Sequence, residues 1–264
     1  MRIFDENSDY KISSLTSGSC RFPETIFIIE QNSRKFFVKS FFREDQKGWG
    51  PDCMERELQS IQVFRQLGVK VLSPVDVPRE KLDLSDGNRL FRLRNVLIYP
   101  LMRQCTQAEI IGCALDPEPL VREAARRIRI RHQRVTSLLG IHSDGAPHNI
   151  FEDWTWFDFG EPHVSQNLQT AKDAEVWQFC AGLTAVCSPN LVRRLVAAFC
   201  DEYQDMSTVR RLVVKYERAV PWLRMSLQPV NLIRLKRGNP GQFYCLRTAM
   251  AMRGYSQNRR LDGL

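Results

Sequence analysis

The stretch that decides the fold is His142-Ser143-Asp144-Gly145-Ala146-Pro147-His148-Asn149, followed after a short apolar run by Asp158-Phe159-Gly160. Its Gly-Ala-Pro centre breaks helices and strands alike, so the side chains on either side of it, Asp144 and Asn149, are predicted to lie on a loop. The tripeptide alone is a weak signal. Together with an Asp and an Asn at this spacing, it becomes a strong one.

The residues between these two motifs are predicted to form a tight hairpin. Ile150-Phe151 and Trp156-Phe157 have the composition of short strands, and residues 152–155 supply the turn. Such a hairpin would place Asn149 at its entry beside Asp158 at its exit. Amide and carboxylate oxygens are hard ligands of the kind that suits Mg²⁺.

This combination of side chains is the set that ATP-dependent phosphoryl transfer requires. One carboxylate must lie beside the attacking hydroxyl, and we assign that catalytic role to Asp144. An amide oxygen and a second carboxylate must hold Mg²⁺ against the phosphates, and Asn149 and Asp158 are the candidates for these metal ligands. ATP and Mg²⁺ are therefore the expected cofactors.

A lysine in the first third of the chain completes the charged set. Residues 35–41 alternate as a strand, and Lys39 has phenylalanines beside it on the same face. A helix is predicted over residues 51–67, in which Glu57 lies within the apolar stripe whereas Glu55 lies off it. Because a carboxylate on the core side of a helix needs a cation, Glu57 is predicted to pair with Lys39.

These motifs resemble the protein-kinase-like superfamily, and most nearly its compact branches: aminoglycoside and choline phosphotransferases, RIO-type kinases and the lipopolysaccharide core kinases of Gram-negative bacteria. Those branches have H-G-D-x-x-x-x-N, where this chain has Ser143 in place of the glycine. The resemblance implies an α+β, bilobal fold, with an N-terminal antiparallel sheet carrying one helix and a mainly helical C-terminal lobe. Lys39, at the position of the lysine in V-A-I-K, would contact the nucleotide phosphates.

The resemblance also implies where the nucleotide binds. Gly18 lies in the turn that would cover the phosphates, although the glycine triplet of kinases is missing. Leu101 and Met102 would form the hinge whose backbone bonds the adenine edge. Residues 1–102 are then the nucleotide-binding lobe and residues 103–264 the catalytic lobe.

The segment after Asp158 bears on the acceptor. Asp173 matches an aspartate that braces the catalytic loop in kinase-like folds, and its alternative is an ordinary acid in the first turn of a helix. The short interval between Asp158 and Asp173 contains no long activation segment and no A-P-E motif. This absence favours a small or carbohydrate-like acceptor, such as a sugar or the glycolipid of the lipopolysaccharide inner core, or an atypical protein substrate.

Composition and charge indicate in which cellular compartment the protein works. The chain has 264 residues, a net charge of +8 and eight cysteines without a Cys-x-x-Cys pair. We expect a cytoplasmic protein with reduced thiols, no signal peptide and no transmembrane segment. Basic pairs are concentrated late in the chain. They indicate either a solvated surface or a face that attracts phosphates, nucleic acid or anionic lipid, the last through peripheral contact with the inner membrane. These pairs are Arg193-Arg194, Arg210-Arg211, Lys236-Arg237 and Arg259-Arg260.

Three other functions compete with a sugar or glycolipid kinase. The weak Gly18 turn and the Ser143 departure are compatible with a catalytically silent kinase-like module that binds a partner. An atypical Ser/Thr protein kinase would use the same residues on a protein hydroxyl. Metal-dependent hydrolysis would need His142, Asp144, His148 and His163 as ligands, but their spacing fits no helical or strand face.

Overall fold

The computed structural model describes residues 10–16, 25–41, 50–85, 88, 90–160, 162–163, 165–218 and 240–261. The chain divides into two compact units. The first consists of Met1–Gln104 together with Trp156–Pro162, and the second of Cys105–Thr155 together with His163–Leu264. The segment that carries the Asp-Phe-Gly motif therefore belongs to the first unit, although the second unit precedes and follows it in the chain.

In its described residues, the first unit is an antiparallel sheet with one helix. Its five strands pair in the order β1-β2-β3-β5-β4. The strands are β1 (Lys11–Thr16), β2 (Thr25–Gln31), β3 (Arg34–Ser40), β4 (Arg79–Ser85) and β5 (Leu90–Pro100), and helix α1 spans Gly50–Gln66. A tight turn joins β2 to β3 through Asn32 and Ser33, both with positive φ, as two-residue hairpin turns require.

One face of this sheet forms the apolar core of the first unit. Phe36 and Val38 of β3 alternate inward and pack with aromatic and aliphatic side chains of β2, β4 and β5. The opposite face of β3 carries Phe37 and Lys39. The alternation predicted from the sequence thus sets which side chains β3 directs away from this core.

The chain after α1 differs from what its sequence predicts. Gly68, at φ 77°, follows the helix, and the apolar residues after it predict that another strand begins here. The structure has no regular strand in this described stretch. Val71 forms a single parallel bridge with Trp156, and β4 begins only at Arg79. Residues 69–72 alternate between Val, Lys and Leu as a strand would. Pro74 has no backbone N–H group to donate, so it stops a ladder of strand hydrogen bonds from extending.

The second unit is mainly helical. The helices in its described residues are α2 (Gln107–Cys113), α3 (Glu118–Arg134), α4 (Leu168–Val186), α5 (Pro189–Tyr203), α6 (Met206–Arg218) and α7 (Pro240–Leu261), with short 3₁₀ turns at Leu138–Gly140 and Pro147–Asn149. Local chemistry explains several starts: Thr106 and Glu109 form a capping box on α2, and Asn167 caps α4 by accepting from the Thr170 amide.

The α+β fold class with an antiparallel sheet and a mainly helical remainder is confirmed. Helix α7 was not predicted, because its polar and basic sequence lacks a clear apolar stripe. In the described part of the chain, no helix is both long and apolar enough to cross a membrane.

Candidate active site

Strand β3 holds Lys39 in the interior of the first unit. The side chain is only 2% exposed, and its Nζ lies 2.7 Å from Glu57 Oε2 and 2.6 Å from Asp158 Oδ1. The ring of Phe41 packs 4.9 Å from the same ammonium group. A buried ammonium is costly unless it is paired, and here two carboxylates provide the pairing.

Helix α1 supplies the first of these carboxylates. Glu57 is buried, with Oε2 on Lys39 and Oε1 accepting from the hydroxyl of Tyr99 on β5. Glu55, on the same helix, is exposed. The contact predicted between Glu57 and Lys39 is therefore present, while its role in nucleotide binding stays a prediction.

The segment Asp158-Phe159-Gly160 supplies the second carboxylate. Asp158 adopts φ 65°, a left-handed conformation that Asp tolerates better than most residues. Phe159 anchors the segment by edge contact with Phe64 of α1, with ring centroids 4.7 Å apart. Gly160 is required here, because a Cβ atom would lie 2.8 Å from Glu57 Oε2. The Asp158 side chain is 37% exposed, in contrast to the buried Lys39 and Glu57 that complete the cluster.

A cavity of about 250 Å³ lies against this cluster within the first unit. Lys39, Glu57 and Asp158 form its polar end. The remaining walls are apolar or aromatic, from Ile26, Phe37, Leu72, Tyr99, Phe157 and Phe159. An apolar slot of this kind suits a flat ring. Its polar end has one cation and two carboxylates, so an anionic group would fit there only together with a further cation.

The two predicted hinge residues lie at the end of β5. The Leu101 amide donates to the carbonyl of Lys35 at 3.0 Å, so this donor is already used within the sheet. The Leu101 carbonyl and the Met102 backbone are then the groups left to meet an adenine edge, and this assignment stays a prediction. Gly18 lies outside the described residues.

In the second unit, the loop that carries Asp144 is held by hydrogen bonds to its backbone. The Asp144 amide donates to Nδ1 of the buried His142 at 3.2 Å, and the Asp144 carbonyl accepts from Asn149 Nδ2 at 2.9 Å. Since Asn149 donates through its nitrogen, its Oδ1 is the atom with lone pairs to offer a cation. The loop expected from the Gly-Ala-Pro segment is present and closes in the 3₁₀ turn Pro147–Asn149.

The electrostatic surroundings keep Asp144 ionised. Burial by itself raises the pKa of its carboxyl group, but His148, His142 and Asn149 together lower that pKa by more, and the net shift is downward. The largest of these opposing effects come from His148, whose Nε2 lies 3.4 Å from Asp144 Oδ2. An ionised carboxylate is the form that can accept a proton from a hydroxyl group.

The predicted hairpin is wrong in its pairing. The turn exists, since the Phe151 amide donates to the Thr155 carbonyl at 2.9 Å. However, its two limbs pair elsewhere. Phe151 bridges Thr106 in the second unit, whereas Trp156 bridges Val71 in the first. Backbone donors and acceptors that could have formed a short local ladder are satisfied by more distant partners.

Helix α4 carries a buried charge network that the sequence did not indicate. Glu175 is fully buried, accepts from Arg131 through Oε1 and accepts from His132 Nε2 at 2.7 Å through Oε2. Tyr203 completes the network at His132 Nδ1, 2.8 Å away. Burial raises the pKa of Glu175, but the Arg131 charge and the His132 bond outweigh it and lower the pKa to about 2. Burial lowers the pKa of His132, which favours the neutral imidazole.

Asp173 does not brace the catalytic loop. Its carboxylate accepts from Arg211 Nε at 2.8 Å, from Thr208 Oγ1 at 3.1 Å and from Gln169 at 3.0 Å. It therefore fastens α6 to α4. The loop is instead contacted by Gln178, five residues further along α4 and one helical turn beyond Glu175.

The late basic pairs are partly used inside the second unit. Arg194 pairs with Asp116 at 3.1 Å, Arg211 with Asp173 at 2.8 Å, and Arg259 with Asp201. These arginines therefore stabilise helix contacts, and an anionic surface would have to compete for them. Lys236 and Arg237 lie outside the described residues.

The residues proposed for a hydrolytic metal site do not gather into one. Within the described ranges, no group of three or more His, Cys, Asp or Glu side chains is arranged to hold a metal ion. His142 is buried and uses Nδ1 on the Asp144 amide. This contact braces the backbone of the loop that carries Asp144.

Structure connects this chain to known proteins where sequence does not. No protein-family model matches, and no curated protein matches. A solved structure of spectinomycin phosphotransferase with ADP and spectinomycin is 11% identical, with a TM-score of 0.50, covering 91% of this chain and 92% of that one. Amicoumacin kinase with AMP-PNP and Ca²⁺ is 11% identical, with a TM-score of 0.43 and coverage of 89% and 87%. A MAP kinase from Leishmania major is 14% identical, with a TM-score of 0.39 and coverage of 95% and 84%.

The likeness to the spectinomycin phosphotransferase concerns the fold. It shows that this chain has a protein-kinase-like fold, as the two sequence motifs predicted.

Proposed function

We propose that this protein is an ATP- and Mg²⁺-dependent phosphotransferase that acts on a hydroxyl group. The observation that carries the proposal is the buried Lys39, bridged to Glu57 and Asp158 at the polar end of an apolar cavity. A purely structural ion pair needs neither an exposed second carboxylate nor an open slot beside it. A nucleotide site needs both the exposed carboxylate and the open slot.

In this proposal the first unit binds the nucleotide. The apolar walls of the cavity take the base, and Lys39 contacts the phosphates while Glu57 holds its ammonium in place. Asp158 would offer a carboxylate oxygen to Mg²⁺, and we propose Asn149 as the other metal ligand because the sequence motif predicts that role. The ion would neutralise charge on the phosphates.

The second unit supplies the proton acceptor. The acceptor hydroxyl oxygen attacks the γ-phosphorus of ATP, the bond from that phosphorus to the leaving ADP oxygen breaks, and the hydroxyl proton passes to the Asp144 carboxylate. Because the pKa of Asp144 is lowered, the residue contributes mainly orientation and negative charge, and it accepts the proton late. Positioning and electrostatic stabilisation account for most of the expected rate gain.

For the acceptor we propose a sugar hydroxyl, with the lipopolysaccharide inner core as the specific candidate. Helix α4 begins at Leu168, soon after Asp158, and this interval is too short for a long peptide-docking segment. The spectinomycin phosphotransferase that shares the fold is in complex with ADP and spectinomycin, a small molecule. A cytoplasmic protein in peripheral contact with the inner membrane would fit a glycolipid acceptor, and Arg193 and Arg210 are exposed on the second unit.

The test is ATP consumption and ³²P transfer with sugars, amino alcohols, lipopolysaccharide core fragments and generic proteins. Wild type should transfer phosphate to one class, and Lys39→Met should lower kcat by about 100-fold or more. Lys35→Met is the matched control, because Lys35 lies on the same strand but is half-exposed and only loosely paired with Glu30, at 3.7 Å. It should keep wild-type turnover.

Binding gives an independent measurement. Mg·ATP should raise the melting temperature of wild type through binding to the native state, and Asp158→Ala should remove the metal-dependent part. If wild type neither consumes ATP nor gains stability from it, the phosphotransferase proposal is wrong. Binding without transfer to any acceptor would instead support a silent kinase-like module.

A further inference from the structure

Asp144 lies between two peptide groups whose four polar atoms are all hydrogen-bonded by side chains. Before it, the Ser143 carbonyl accepts from Gln178 Nε2 at 2.6 Å and the Asp144 amide donates to His142. After it, the Asp144 carbonyl accepts from Asn149, and the Gly145 amide donates to Gln178 Oε1 at 3.0 Å. Two of the four bonds thus come from within the loop, and the other two come from one side chain on α4.

The chemistry of these two bonds singles out a carboxamide. The Ser143 carbonyl needs a donor and the Gly145 amide needs an acceptor, and Gln178 supplies both from one planar group. A carboxylate would accept from Gly145 but would turn a second oxygen toward the Ser143 carbonyl. An apolar side chain of similar size would leave both peptide groups without these partners.

The loop also lies so close to α4 that its backbone cannot shift easily. A Cβ atom on Gly145 would lie 2.3 Å from Glu175 Cγ, and one on Gly182 would lie 2.3 Å from Pro147 Cδ. Glu175, Gln178 and Gly182 follow at intervals of three and four residues, and so share one face of the helix. The buried network of Glu175 with Arg131 and His132 fixes that face.

We propose that Gln178 is the positioning residue for Asp144: its amide group clamps the peptide on each side of the aspartate and so sets the direction of the carboxylate. The proposal rests on the proposed function, because a positioning role has meaning only if Asp144 accepts the acceptor proton. Gln178 acts through the backbone and does not itself touch the substrate. It takes the bracing role that the sequence had assigned to Asp173.

The kinetic test uses Gln178→Glu and Gln178→Leu. Both should lower kcat by about 10- to 100-fold, since small displacements of a reacting group have effects of this size. KM for Mg·ATP should stay within about twofold, because the nucleotide groups of the first unit are untouched. Gln178→Asn, which keeps the carboxamide but is one methylene shorter, should retain more activity than either. Gln133→Glu is the matched control, since Gln133 is exposed on α3, and it should behave as wild type.

Amide hydrogen exchange tests the clamp without any need for turnover. The Gly145 amide should be protected in wild type and should exchange at least about tenfold faster in Gln178→Leu, with little change in melting temperature. Unchanged Gly145 exchange, or normal kcat despite faster exchange, would overturn the positioning proposal. A fall in kcat accompanied by an equal rise in KM for Mg·ATP would overturn it too. If wild type has no phosphotransfer activity at all, the proposed function fails and the positioning role fails with it, whereas Gly145 exchange still reports whether the clamp forms.

Discussion

Replacing Glu175 by Gln should destabilise the second unit strongly, because it removes the anion from a buried charge network. The substitution keeps the volume and shape of the side chain. It leaves Arg131, 2% exposed, without its carboxylate. The amide that replaces the carboxylate has only one acceptor oxygen, whereas Arg131 and His132 both donate hydrogen bonds to this position. The NH₂ group of the amide would therefore face one of these two donors.

The loss of folding stability expected for Glu175→Gln can be obtained in two ways. The pKa of Glu175 is lowered from 4.5 to about 2, and at about 1.4 kcal/mol per pKa unit this corresponds to roughly 3 kcal/mol of stability. Removing one partner of a buried pair costs about 3 to 5 kcal/mol in general. Both routes place the loss well above the roughly 0 to 1 kcal/mol expected for an exposed pair.

The stability that Glu175 and His132 contribute should decrease as the pH falls. Because the folded-state pKa is lower than the unfolded one, the Glu175 contribution is complete above pH 4.5 and is lost as the pH falls toward 2. His132 acts in the same direction at higher pH. Its pKa is also lowered, so stability is lost as the pH falls below the ordinary value of 6.5 and the unfolded chain takes up a proton. Glu175→Gln should flatten the dependence at the acidic end. Because Glu175 raises the pKa of His132, its removal should lower that pKa further and so enlarge the His132 contribution.

The assay is urea unfolding followed by circular dichroism at the helical signal, which comes mainly from the second unit. Measurements at steps from pH 7 to pH 3 would compare wild type, Glu175→Gln and Glu123→Gln. Glu123 is the control, because it pairs with Arg126 and Arg127 on the exposed face of α3. If Glu175→Gln loses less than about 1 kcal/mol at pH 7, or keeps the wild-type fall in stability below pH 4.5, the Glu175 charge network does not stabilise the fold.

Three further substitutions test the packing around the two sites. Gly160→Ala should weaken Mg·ATP binding about tenfold or more in calorimetry, because the added Cβ would lie 2.8 Å from Glu57 Oε2. Gly254→Ala is the control and should bind Mg·ATP as wild type does, because the added Cβ would have open space around it. Gly182→Ala should lower stability by about 1 to 3 kcal/mol through its clash with Pro147, measured by denaturant unfolding; an unchanged midpoint would show that the loop can move off α4. Ser143→Ala should leave the melting temperature unchanged or raise it, since the Ser143 hydroxyl is buried without a hydrogen-bond partner among the described residues; a clear loss of stability would reveal a partner for it.

Much of the first unit could be predicted because its signals are local. The alternation of β3 directs Lys39 away from the apolar core, and the helical period of α1 directs Glu57 inward, so their contact follows once the two elements pack. The same reasoning distinguished Glu57 from Glu55. Asp158 was recognised by its motif, but its contact with Lys39 was not foreseen, since it joins positions far apart in the chain.

The second unit shows where such reasoning fails. Helix α4 is apolar on most sides, so its period does not reveal which of its polar residues face the loop. Asp173, which resembled a brace, lies on the side that meets α6, whereas Gln178 lies on the side that meets the loop. A difference of five residues rotates a side chain by well over a quarter turn of the helix, and only packing decides which face is used.

The sequence by itself determined the local geometry: the strand period around Lys39, the helix around Glu57, the loop between Asp144 and Asn149, and the fold class that follows from them. These depend on backbone preferences and on apolar periodicity, which neighbouring residues specify. Only the tertiary structure decided which distant groups satisfy each buried charge and each loop peptide. The Lys39–Asp158 pair, the Glu175 network and the Gln178 clamp all join residues from separate elements. A buried polar group must find a partner somewhere, and which partner is within reach depends on the packing of the whole unit.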